Sequence, residues 1–242
     1  PVAMISGGLG GIGIATARAL QKAGCRVAIG DIAPNANEDA DFHYHQVDVS
    51  DETSIKAWFG AVEAHFGEPA SVIVANAAIV NIGSALTAKV EEWKHTMDVN
   101  LTGAWLTART GAKRLLDAGM SGRIVFVGSW AAHAPHVNMV AYSAAKSGLR
   151  MLTQTMALEL ADQGILVNEI APGFVDAGLS AQIFKENPGQ AEKARAQVPT
   201  KLLIDAAEVA DAITYLCSPS HRNLTGSTLL LDGGLSARRR MD

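Results

Sequence analysis

Tyr142 and Lys146 stand four residues apart, a spacing that sets two side chains on one face of a helix. A free tyrosine has a pKa of about 10, and a neighbouring ammonium favours its phenolate. An acid or base works best when its pKa lies near the working pH, so the pair suits proton transfer. The spacing alone is common. Ser129 adds to it, because this hydroxyl follows an apolar run and precedes Tyr142 by thirteen residues.

A second cluster lies at the other end of the chain. Residues 6–13 read Ser-Gly-Gly-Leu-Gly-Gly-Ile-Gly between an apolar run and a helical pattern. Glycine lacks Cβ, so such a turn brings backbone close to a pyrophosphate, which the following helix N-terminus attracts with free N–H groups. Asp31 follows the second apolar run. A carboxylate there accepts hydrogen bonds from the ribose hydroxyls of NAD and repels the 2′-phosphate of NADP. No Lys or Arg lies in the glycine turn or directly after Asp31. The expected cofactor is NAD.

The elements that must position these residues alternate between short apolar runs and helical patterns. Strands are expected at 2–6, 26–30, 43–49, 72–75, 123–128, 165–171 and 227–231. Helices are expected at 13–22, stopped by Gly24, at 51–66 with Ser50 as N-cap, at 142–162 and at 208–217, with two more filling 90–118. Ile55, Trp58, Phe59, Val62 and Phe66 form one stripe with a period of about 3.6 residues. Strands apolar throughout belong in a sheet covered on both faces. The fold class is therefore α/β, a Rossmann-like doubly wound, seven-stranded parallel sheet in a single domain spanning 1–242. The segment 176–205, broken by Asn187-Pro188-Gly189 and Pro199, reads as a lid. The glycine turn, Asp31, Asn76 and Ser129 all fall at C-terminal strand ends, where open parallel sheets bind ligands.

With these residues in place, the chain resembles the short-chain dehydrogenase/reductase family along nearly its whole length. The glycine turn is Ser6 to Gly13. Asp48 in Val47-Asp48-Val49, Asn76-Ala77-Ala78, Asn100, Ser129, Tyr142-Ser-Ala-Ala-Lys146 and Pro172-Gly173 match the remaining motifs in order. The resemblance implies catalytic roles for Asn100, Ser129, Tyr142 and Lys146. Tyr142 would carry the proton, Ser129 would hold the substrate oxygen, Lys146 would hold the nicotinamide ribose, and Asn100 would order a relay water. It implies cofactor contacts at Gly7, Gly10, Gly11, Ile12, Gly13, Asp31, Ile32, Asp48, Val49, Asn76, Ala77, Pro172, Gly173 and Val175, besides Tyr142 and Lys146. Trp130, His136 and Phe174 are the further candidates for substrate contact. The family pattern is altered at Ala78 for glycine, Ser6 for threonine and Ala177 for threonine, and no catalytic group is lost.

The implied activity is reversible interconversion of a secondary alcohol (a polyol, sugar or hydroxy acid) and its ketone. A 3-oxoacyl reductase is a rival within the family. A catalytically silent nucleotide-binding scaffold is a rival of another class, opposed by the intact set of four. An epimerase of the extended relatives is disfavoured by the length and the Pro-Gly pattern. The resemblance also implies a homotetramer, paired through helices rich in small residues such as Gly103, Ala104, Ala108, Ala144 and Ala145.

Composition narrows the partners. A net charge of −4 lacks the basic footprint of a nucleic-acid binder, and the short Arg238-Arg239-Arg240 tail does not change that reading. No apolar run reaches the roughly 18 residues that span a membrane. Val2-Ala3-Met4-Ile5 reads as a strand rather than a signal peptide. Cys25 and Cys217, far apart, fit reduced thiols and a cytoplasmic protein. His43 and His45 share a strand face, but a solvated pair is the simpler reading, and no metal is expected. Lys185, Lys193, Arg195 and Lys201 are interleaved with Glu186 and Glu192 and read as a solvated surface.

Overall fold

A computed structural model describes residues 1–34, 42–178, 181, 184, 185, 187 and 189–237. The arginine tail 238–240 and Glu186 therefore lie outside the described residues. Seven strands form one parallel sheet: β1 (Val2–Ser6), β2 (Arg26–Asp31), β3 (His43–Gln46), β4 (Val72–Ala75), β5 (Gly122–Val127), β6 (Ile165–Pro172) and β7 (Thr228–Leu231). Their order is β3-β2-β1-β4-β5-β6-β7. The chain runs outward from β1 to β3, then crosses back to β4 on the other side of β1. That reversal opens a crevice at the C-terminal ends of β1 and β4.

Both faces of the sheet are buried because alternate side chains feed two cores. Val2 and Met4 join one core with Trp58, Phe59, Leu115 and Leu149. Ala3 and Ile5 join the other with Leu20, Val209 and Ile213. The first core is covered by α2 (Glu52–Phe66), α4 (Ala104–Asp117) and α5 (Val140–Leu160), and the second by α1 (Gly11–Lys22) and the helix Ala206–Cys217.

One local reading changes and two gain detail. The N-cap of α2 is Asp51, whose side chain accepts from Thr53 N–H. Ser50 instead donates both its N–H and its hydroxyl to Asp48 Oδ1, at 2.9 and 2.6 Å, so it braces the end of β3 rather than the helix. The two helices expected over 90–118 are present and run on without a break. Helix α3 (Val90–Met97) passes through a π turn, Asp98–Gly103, straight into α4, with helical backbone at both junctions. Gly103 permits this close passage, since a Cβ there would meet Val49 O at 2.8 Å. The segment 176–205 holds a helix, α6 (Gln190–Gln197), buried through Ala194. The ends of the segment are tied together where Asp176 N–H donates to Ile204 O and Ile204 N–H donates to Phe174 O.

Candidate active site

The cleft begins where β1 hands over to α1. Gly7 has φ of 62°, and a Cβ there would meet Ala77 Cα at 2.8 Å. A Cβ on Gly11 would meet Ala177 Cβ at 2.8 Å, and one on Gly13 would meet Gly7 O at 2.2 Å. Ser6 and Asn76 lock the turn from below. The Ser6 hydroxyl accepts from the N–H groups of Asn76 and Ala77, and Asn76 Nδ2 donates to the carbonyls of Ser6 and Gly7, all within 3.1 Å. No side chain caps the N-terminus of α1, so its first N–H groups remain available to an anion.

Asp31 closes this side. One carboxylate oxygen accepts from Leu9 N–H at 3.0 Å and the other from Ala33 N–H at 3.1 Å. These bonds fix the charge beside the glycine turn. Ile32, Asp48 and Val49 continue the same wall.

On the opposite side, Ser129 follows β5 and caps a short 3-10 turn, its Oγ accepting from Ala131 N–H at 3.1 Å. Tyr142 and Lys146 project from the first turns of α5, with the Lys146 ammonium 5.6 Å from the Tyr142 ring centre. Lys146 is fully buried, and its Nζ donates to Val127 O at 2.7 Å. Burial pushes its pKa down to about 8, while the carboxylate of Glu169 works in the opposite direction. Burial also raises the Tyr142 phenol, and the Ser129 hydroxyl beside it draws it back.

These residues bound one cleft of about 430 Å³, lined by Gly7, Gly10, Gly11, Ile12, Asp31, Ile32, Asp48, Val49, Asn76, Ala77, Ser129, Tyr142, Lys146, Pro172, Gly173 and Val175, and also by His95. A volume in this range suits a small-molecule or cofactor pocket. The glycine cradle and the uncapped helix end fit a dinucleotide phosphate, and Asp31 fits a ribose diol. Of the residues expected to be catalytic or to hold the cofactor, two lie elsewhere. Gly13 packs beneath the turn against Gly7 rather than lining the cleft. Asn100 is buried in the π turn, where its side chain accepts from Ile79 N–H and donates to Ile79 O, each at 2.8 Å.

Trp130, His136 and Phe174 are off the main cleft wall but meet one another beside Ser129. The Trp130 ring lies 3.8 Å from that of His136 and 5.1 Å from that of Phe174, in edge contacts. Burial lowers the His136 pKa against the pull of the Ala134 carbonyl. His133 is lowered by burial and by Arg150, and raised by Asp232. His43 stacks on His65 at 4.0 Å, and among the described residues no group of three or more His, Cys, Asp or Glu is placed to hold a metal. No described helix is long and apolar enough to cross a membrane.

Glu169, on β6 behind Ser129, was not singled out from the sequence. Its signal was there to read: one acid in the apolar run Ile165–Pro172.

Comparison with known proteins agrees with this arrangement. A family described as enoyl-(acyl carrier protein) reductase matches residues 7–236. The chain is 36% identical over 249 residues to cis-4-hydroxycyclohexanecarboxylate dehydrogenase of Sinomonas cyclohexanicum, covering 98% of this chain and 96% of that protein. It is 32% identical over 241 residues to a 3-oxoacyl-(acyl-carrier-protein) reductase of Vibrio cholerae, covering 97% and 96%. A crystal structure of an actinorhodin polyketide ketoreductase variant with NADPH superposes with a TM-score of 0.91 at 29% identity, over 98% and 97% of the two chains.

Proposed function

The chain belongs to the short-chain dehydrogenase/reductase family, and from that premise we propose that it is an NAD-dependent dehydrogenase of a secondary alcohol, most suited to a compact hydroxy acid. The observation that carries this reading is the joining of Ser129, Tyr142 and Lys146 with Asp31 and the glycine turn in one cleft. The nicotinamide ring, when bound, exchanges the hydride. The protein supplies the rest. The Ser129 hydroxyl holds the substrate oxygen, and the Tyr142 phenolate takes its proton. Lys146 steadies that phenolate and the nearby ribose. The Asn100 side chain is committed to Ile79, so that side chain does not reach the lysine as a relay.

Two features support NAD. The Asp31 carboxylate is pinned at the cleft edge, and the sequence from Val27 to Ile55 contains no Lys or Arg while Glu38, Asp39 and Asp41 add negative charge. A 2′-phosphate beside Asp31 would meet repulsion. The hydroxycyclohexanecarboxylate dehydrogenase supports the hydroxy-acid class, and the edge-packed rings of Trp130, His136 and Phe174 beside Ser129 offer aromatic surface for a ring substrate. The 3-oxoacyl reductase relative favours a second reading, reduction of a ketone with NADPH. We further propose that segment 176–205 acts as the lid, and that the half-exposed Trp105 and the exposed Met151 and Leu158 on α4 and α5 are covered in a homotetramer.

A screen of alicyclic hydroxy acids, polyols and sugars with NAD and NADP, read at the absorbance of the reduced ring, tests this. The expected result is turnover with NAD, and an NAD preference narrowed at least about tenfold in Asp31→Ala, equivalent to about 1.4 kcal/mol. A wild-type preference for NADP overturns the cofactor assignment.

A further inference from the structure

Glu169 is a buried carboxylate in the middle of an apolar strand, with no exposed surface. Such a group is costly unless something uses its charge. Ile165 and Val167 face α5 from β6, and strand alternation sets Glu169 on the same face. Thr228 on β7 donates to Oε2 at 2.6 Å. Oε1 has no hydrogen-bond partner among the described residues. It is aimed at residue 128, where a Cβ would lie 1.8 Å away, so the carboxylate fits only because Gly128 has none.

Gly128 is bonded to Val127, whose carbonyl holds the Lys146 ammonium at 2.7 Å. The peptide between Val127 and Gly128 thus separates the catalytic ammonium from the carboxylate. The two make no direct ion pair, and their interaction is through space. We propose, resting on the acid–base role of Tyr142 and Lys146 given above, that Glu169 is a positioning residue that keeps Lys146 charged while Tyr142 holds the substrate proton.

The surroundings admit few competitors. From α5, Lys146 and Arg150 face Glu169. From β7 comes the Thr228 hydroxyl, and β5 places Phe126 and Gly128 beside it. Lys146 itself is faced by the Tyr142 ring, the Val127 carbonyl and Glu169. Burial raises the Glu169 pKa, and Thr228, Lys146 and Arg150 pull it back toward ionisation. A negative charge at Glu169 opposes the loss of the lysine proton that burial promotes.

Glu169→Gln keeps the shape and an acceptor for Thr228 while removing the charge. The experiment follows lysine side-chain carbons by NMR across pH in the cofactor-free protein, with Lys146 assigned by the signal missing from Lys146→Met. The Lys146 midpoint is expected to fall by about one pH unit in Glu169→Gln, the lower end for a close charge pair. Thr228→Val, which keeps the acid but removes its stabilising donor, is expected to lower it less, and decides the question if Glu169→Gln fails to fold. An unchanged midpoint in a folded variant overturns the proposal and leaves Arg150 as the carboxylate's partner. In turnover, the alkaline decline of kcat is expected to begin about one pH unit lower in Glu169→Gln. If the wild type oxidises no alcohol, the functional reading fails, while the lysine titration still decides the role of Glu169.

Discussion

On the side of β1, β2 and β4 the cleft is walled by backbone: glycines pressed against Ala77 and Ala177, amides gathered by Ser6, and one carboxylate fixed by two N–H groups. On the side of β5, β6 and α5 it is walled by side chains, among them the buried Lys146 and Ser129 and the half-buried Tyr142, with Glu169 behind them. The first wall binds by shape, and steric exclusion of any Cβ defines it. The second works by charge, and burial sets its proton affinities. A cofactor common to many enzymes needs only the first kind of wall. Proton transfer needs the second, where burial pushes Lys146 down to about 8.

The sharpest way to break the contrast is to remove a proton without changing shape. Tyr142→Phe keeps the ring beside Lys146 and deletes the acid–base oxygen. Turnover is expected to fall by at least roughly a hundredfold, the lower end for a general acid or base, with cofactor affinity measured by NADH fluorescence little changed. Turnover near that of the wild type would mean that the side-chain wall does not perform the proton transfer.

The converse change adds one methyl to the backbone wall. In Gly13→Ala the new Cβ would lie 2.2 Å from Gly7 O and 2.8 Å from Gly8 Cα, so the turn must move. Overpacking of this kind costs about 1–3 kcal/mol. If that strain falls on the phosphate site, the dissociation constant of NADH rises by at least about tenfold, since about 1.4 kcal/mol corresponds to tenfold. Calorimetric titration checks it. Unaltered affinity with lowered melting temperature would show that Gly13 serves folding alone.

The same contrast explains what was legible in the sequence. Six of the seven strands followed from apolar runs and the third from a more alternating pattern; the structure leaves 2–6 and 72–75 unchanged and moves ends of the other five by one to three residues. The glycine turn was legible because its constraint is local: glycine spacing reports directly where backbone must approach backbone. Lys146 and Tyr142 were legible through helical spacing. The interaction of Glu169 with Gly128 was not, because strands β5 and β6 are brought together by the sheet and not by any short-range pattern. The π turn was hidden for a related reason. No short-range pattern in Val90–Asp117 marks the bulge, which is tied to a distant partner where the Asn100 side chain bonds Ile79. Ser50 was misread as a cap because Asp51 competes at the next position, and the carboxylate wins the N-cap while Asp48 claims the hydroxyl.

The smallest expected effect lies where the two walls give way to the substrate space. Trp130 is half-buried and touches His136 and Phe174 by ring edges. Such contacts are worth about 0.5–1.5 kcal/mol. Trp130 follows Ser129 directly but contributes no proton and no charge. If the trio is an apolar wall for the substrate, Trp130→Ala raises KM for an alicyclic hydroxy acid by about two- to tenfold, the range that energy spans, with kcat changed less. If KM is constant and kcat falls, the indole instead holds the 3-10 turn that aims the Ser129 hydroxyl, and the aromatic group belongs to the catalytic wall rather than to the substrate's.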